Sequence, residues 1–288
     1  MRRARRSTRA GSGSRGRPAL LGLGILLGIV FLLSSCGDQG NWVQFRGDRG
    51  RGVTQNALHP PLGTKWKLEL QREEEPQQSF NPPVIKDDTI YFGSPDGNFY
   101  ALDLQSGYMR WIFKTDGIVN SVPYADERYV YFGSNDGKVY AVSRETGKEA
   151  WSYQTESTVQ STIVKHKDTI VFASDGGSVY FLTEDGVLKH RLPNPVWHRS
   201  TFQILDETLY LAPGPRQRPH ALGAYDIEED QYRFILDTAR FNAVWYSFPA
   251  LSGNKMFMST AAYRGAQWRL SYYAFDRNTG QILWDYTE

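Results

Sequence analysis

Cysteine is nearly absent, with Cys36 the only one in 288 residues. An intrachain disulfide, a Cys-ligated metal and a thiol redox pair are thereby excluded. Histidine is scarce as well. The five present (His59, His166, His190, His198 and His220) show no i,i+4 or short-loop spacing, so no metal is expected. Neither a Gly-x-Ser-x-Gly elbow nor a phosphate-cradling loop occurs, and no catalytic residue is assigned. Asp96-Gly97, Asp136-Gly137 and Asp175-Gly176-Gly177 lack the alternating oxygen ligands of a calcium loop and read as hairpin turns. The apolar run from Ala19 to Leu33 is too short for a comfortable membrane span.

That run has the other features of a secretory signal. Seven arginines (Arg2, Arg3, Arg5, Arg6, Arg9, Arg15 and Arg17) precede it. It ends at Leu33-Ser34-Ser35-Cys36, which resembles the bacterial lipobox, whose cysteine is lipid-modified and becomes the mature N-terminus. The chain therefore divides into a signal peptide (1–35), a lipidated tether and lead-in (36–63) and a folded domain (64–288). No acid lies among the first 35 residues, so loss of the seven arginines takes the formal charge from +2 to −5. An acidic mature chain outside the cytoplasm is a poor candidate for nucleic-acid binding. Membrane attachment is expected through the lipid on Cys36.

What is abundant is aromatic residues, at 14%, and glycine, at 27 residues, a composition of strands and turns. Tyr91-Phe92-Gly93-Ser94 returns as Tyr131-Phe132-Gly133-Ser134 and, altered, as Val171-Phe172-Ala173-Ser174. Gly97, Gly137 and Gly177 keep the same step, as do Tyr100, Tyr140 and Tyr180. Aligning Ala101, Ala141, Phe181, Ala224 and Ala274 gives steps of 40, 40, 43 and 50, so the last units carry insertions. In the first unit, strand-length runs cover Asn81 to Ile85, Thr89 to Ser94, Asn98 to Asp103 and Met109 to Lys114. Four such runs per forty residues, with Asp-Gly turns between them, predict an all-β propeller of four-stranded antiparallel blades. Gly107, Gly147 and Gly280 are expected to reverse the chain before each outermost strand. Trp111, Trp151 and Trp284 are then expected to lay their rings between neighbouring blades, each burial contributing several kcal/mol at roughly 25 cal/mol per Å².

Ala274-Phe275-Asp276-Arg277-Asn278-Thr279-Gly280-Gln281-Ile282-Leu283-Trp284 resembles the repeat signature of the pyrroloquinoline-quinone-like (PQQ-like) β-propeller superfamily. The first unit has Ser106 for Thr and the second Ser143 for Asp; the third ends at His190, and the fourth has Asp230 for Gly and Phe234 for Trp. Thr64-Lys65-Trp66-Lys67-Leu68 resembles an outermost strand on its own, which in that superfamily closes the ring. Five units and one such strand fall short of the eight blades the resemblance implies, so either the ring is truncated, which is expected, or it closes irregularly with fewer blades. Quinoprotein dehydrogenases share the fold, with a vicinal disulfide beside the quinone. The single cysteine argues against that site, and no cofactor is expected.

The largest departures from the repeat lie in units four and five. Near the innermost strands, valines give way to His198 and Trp245, and the hairpins 213–220 and 263–269 are enlarged. One propeller face is expected to gather Trp197, His198, Arg199, Arg216, Arg218, Trp245, Arg264, Trp268 and Arg269 as a partner site, since Trp and Arg concentrate binding energy. Lipobox, repeat and missing quinone site together resemble the BamB family of outer-membrane lipoproteins. That resemblance implies a non-catalytic periplasmic scaffold that docks on the outer-membrane β-barrel insertase. A glycan or small-ligand module and a degenerate PQQ-dependent dehydrogenase are the alternatives.

Overall fold

The computed structural model describes residues 42–44, 63–68, 82–193, 201–212, 221–237, 245–246, 249–264 and 267–288. All of these fall in one compact unit, Gly40–Glu288. Cys36 and the first 35 residues lie outside the described residues. Among the described residues no helix is long and apolar enough to cross a membrane.

Five antiparallel sheets follow one another along the chain, each a blade of the propeller. Blade 1 contains β1 (Val84–Lys86), β2 (Thr89–Gly93), β3 (Asn98–Asp103) and β4 (Met109–Lys114). The first strand begins later than its apolar run because Pro82 and Pro83 have no amide proton for the ladder. Blade 2 repeats the plan with β5 (Tyr124–Ala125), β6 (Tyr129–Gly133), β7 (Lys138–Ser143) and β8 (Glu149–Gln154). Blade 3 has β9 (Val164–His166), β10 (Thr169–Ser174), β11 (Ser178–Thr183) and β12 (Leu188–Pro193). Blade 4 has β13 (Thr201–Leu205), β14 (Thr208–Ala212), β15 (Ala221–Asp226) and β16 (Gln231–Asp237). Blade 5 departs from the plan: β17 (Trp245–Tyr246) and β18 (Ala250–Ser252) both pair with the long β19 (Lys255–Arg264), followed by β20 (Gln267–Asp276) and β21 (Ile282–Thr287). Pro249 lies between the two short strands and cannot donate to the ladder.

The Asp-Gly turns explain the recurring tyrosines. Asp96 accepts from the Asn98 amide (2.9 Å) and from the Tyr100 hydroxyl (2.5 Å), and Asp136 does the same for Lys138 (2.9 Å) and Tyr140 (2.6 Å). Gly97 and Gly137 complete these turns at φ of 82° and 87°, a region that favours glycine. The core lies between blades. Phe99 of blade 1 stacks on Phe132 of blade 2 at 3.9 Å between ring centroids, and further clusters join blades 2 and 3, 3 and 4, and 4 and 5.

The lead-in also joins blades. Trp42 exchanges backbone hydrogen bonds with Ile85 of β1 (2.7 and 2.8 Å), while the Val43 carbonyl accepts from the Ala125 amide of β5 (2.9 Å). Residues 63–68, expected as an outermost strand, form no strand among the described residues. They hold to blade 1 through a side chain instead.

Candidate docking site

The side chain is Trp66, and its placement shows how the blades are clasped. Its indole Nε1–H donates to the Leu104 carbonyl (3.0 Å), and its ring lies so close to Gly107 that a Cβ there would meet it at 2.7 Å. Trp111 repeats this on blade 2, donating to the Arg144 carbonyl (2.8 Å) and covering Gly147. Trp151 repeats it on blade 3, donating to the Glu184 carbonyl (2.6 Å) and covering Gly186. Each ring therefore meets the glycine of the following unit, not of its own. Within its own blade each Trp faces the small residue of the motif: Ala101 is paired with Trp111, Ala141 with Trp151 and Ala274 with Trp284, with a bulge following every time. Gly280 receives Phe234, the fourth unit's replacement for Trp. At the junction of blades 3 and 4, His190 stands in the Trp position and Asp230 in the Gly position, with His190 Nε2 3.3 Å from Asp230 Oδ1. Trp284 differs from the expectation of a ring between blades, being 46% exposed. No glycine among the described residues receives it.

The turns β1–β2 and β3–β4, and their counterparts in later blades, carry charges that pair across the same junctions. The Arg144 guanidinium reaches Asp87 Oδ2 (2.8 Å), the Tyr91 hydroxyl (3.2 Å) and the Asp126 carbonyl (2.8 Å). Lys165 Nζ, mostly buried, lies between Asp126 Oδ2 (2.5 Å) and Glu184 Oε1 (2.7 Å). Burial raises the Asp126 pKa, but hydrogen bonds from Lys165 and from the Tyr129 and Arg128 amides outweigh it and hold the carboxyl below its ordinary value. Arg277 continues the series onto Asp206 (2.5 Å).

The opposite end has the β2–β3-type hairpins and the connections into each next blade. Thr115 and Val119 donate back to Gly97 and Ser94 (2.9 and 3.2 Å), and Thr155 and Val159 do so to Gly137 and Ser134 (2.8 and 3.0 Å). In blade 5 that hairpin is the ladder of β19 and β20, which pairs without a break from Lys255 and Asp276 to Arg264 and Gln267. Near its tip Trp268 is 60% exposed and meets Tyr263 edge-on at 5.4 Å, with Arg269 and Leu270 exposed beside it.

Of the nine residues expected to form a partner site, four fall in this sheet. Trp268 and Arg269 lie on β20, Arg264 ends β19 opposite Gln267, and Trp245 pairs with Ala261 in β17. Trp197, His198, Arg199, Arg216 and Arg218 lie outside the described residues. Tyr263 was missed as a site residue, although its place beside Arg264 in the enlarged hairpin was legible. Gly186 was missed because the third unit is a residue shorter.

Residues 113–215 match the family model described as outer membrane protein assembly factor BamB. Over that span the repeats are similar to those of PQQ-like propellers. Among solved structures, BamB from Moraxella catarrhalis superposes with a TM-score of 0.52 at 18% identity, covering 69% of this chain and 58% of its own. The quinohemoprotein alcohol dehydrogenase ADHIIG from Pseudomonas putida HK5 superposes with a TM-score of 0.64 at 18% identity, covering 89% of this chain and 49% of its own. The chain thus spans between about half and three fifths of the length of these structures. No curated protein matches it in sequence.

Proposed function

We propose that this chain is a non-catalytic, lipid-anchored propeller that binds proteins in the bacterial cell envelope and serves outer-membrane β-barrel assembly. The observation that carries the reading is the exposed Tyr263–Trp268 pair beside Arg269 on the β19–β20 hairpin. Large aromatic and Arg side chains on a paired ladder lose little freedom on binding, which favours a docking surface. The match of residues 113–215 to the BamB family model supports the assembly role, with the β-barrel insertase as the partner. The lipobox-like Cys36 supports attachment to the outer membrane on its periplasmic side.

Crosslinking of the lipidated protein in envelopes, followed by mass spectrometry of what co-purifies, tests this. Stoichiometric recovery of a β-barrel insertase is the expected outcome. Recovery of glycan, or of another envelope complex, would remove the assembly role. The likeness to the quinohemoprotein dehydrogenase favours a second reading, a degenerate quinoprotein, which predicts saturable binding of pyrroloquinoline quinone with calcium.

A further inference from the structure

His166, Glu207 and Glu228 converge at the junction of blades 3 and 4, with one potential ligand atom from each lying within 4.8 Å of the others. His166 ends β9, Glu207 forms the β13–β14 turn and Glu228 follows β15. The same junction has lost the Trp and Gly clasp, His190 and Asp230 having taken those positions. Two carboxylates that approach each other need a cation between them. At present that charge comes from Lys167, whose Nζ lies 3.3 Å from Glu207 Oε1 and also contacts Glu228. The side chain of this lysine is 59% exposed.

His166 has no such compensation. Its Nε2 is buried and has no hydrogen-bond partner among the described residues. In its neutral form an imidazole presents one ring-nitrogen lone pair to a cation. Glu228 accepts a hydrogen bond from Lys167. A neutral imidazole and two carboxylates form a donor set for zinc or a similar first-row divalent cation.

We propose that His166, Glu207 and Glu228 form a divalent transition-metal site that clamps blade 3 to blade 4, with Lys167 as the cation it displaces. Tetrahedral zinc ligands at ~2.0–2.1 Å lie roughly 3.4 Å apart, so the exposed Glu228 carboxylate needs to close in by on the order of an ångström. His166 and Glu207 stand 41 residues apart along the chain and Glu207 and Glu228 21, which is why no local spacing shows them.

Titration calorimetry of the purified full chain with zinc chloride tests the site, with thermal unfolding followed in parallel. One zinc per chain and a zinc-dependent rise in Tm are expected. His166→Ala should abolish binding, Glu228→Gln should weaken it about tenfold or more, and Lys167→Met should tighten it by removing the competing ammonium. Glu228→Gln alters an exposed side chain and keeps the test open should His166→Ala fail to fold. No binding by the wild-type chain, binding that survives His166→Ala, unchanged affinity in Glu228→Gln, or no tightening in Lys167→Met would each overturn the proposal.

Discussion

The Trp–Gly clasp concentrates the propeller's sequence signal in two residues. At Gly147, φ is +69° and the position of a Cβ is filled by the Trp111 ring at 2.7 Å. Gly147→Ala therefore combines a left-handed conformation with a clash, and should cost about 1–3 kcal/mol in urea unfolding. Trp151→Ala removes the ring over Gly186 and orphans the Glu184 carbonyl, for an expected loss of about 3–5 kcal/mol. Asp126 sets a pH dependence. Its folded pKa is depressed, so its contribution is complete above its unfolded value of about 3.9 and is lost as pH falls through the lower folded one. The Lys165 pKa is raised, its bonds to Asp126 and Glu184 outweighing burial, so its share is complete below about 10.4 and fades above that. Asp126→Asn should lower Tm at pH 7 and flatten its fall in acid, as thermal melts across pH will show.

Among the elements, the β19–β20 hairpin separates folding from recognition. Its inner half buries Met256, Met258 and Phe275 against blade 4, while its outer half exposes Trp268 and Arg269. The double change Trp268→Ala with Arg269→Glu should move stability by no more than about 0.5 kcal/mol, yet reduce partner capture about tenfold or more in pull-downs from envelopes. Capture at the wild-type level would sink the docking surface. The last three strand spans of blade 1 were legible because each runs between turn residues with fixed conformational demands. The split into β17 and β18 was not, because pairing along one long partner is a property of the sheet.

At the scale of the whole molecule, the junctions are chemically unequal. Those between blades 1 and 2 and between blades 2 and 3 have an indole over glycine, whereas the junction of blades 3 and 4 has His190 beside Asp230. In metal-free buffer, amides of β12 should exchange with solvent faster than those of β4 and β8 in hydrogen-exchange measurements. Blade 5 shows what a junction side looks like uncovered. Tyr272, Trp284 and Tyr286 occupy the ladder positions of Phe99, Trp111 and Phe113, which meet blade 2, yet they are 39%, 46% and 60% exposed. The sequence by itself determined the blades, since alternating apolar strands, Asp-Gly hairpins and a recurring Ala opposite Trp are local demands of the chain. Only the tertiary structure decided that Trp66, Trp111 and Trp151 each meet the glycine of the following unit, and that His166, Glu207 and Glu228 meet at all. Those contacts join residues 21 to 62 positions apart, and packing of neighbouring blades alone brings such residues together.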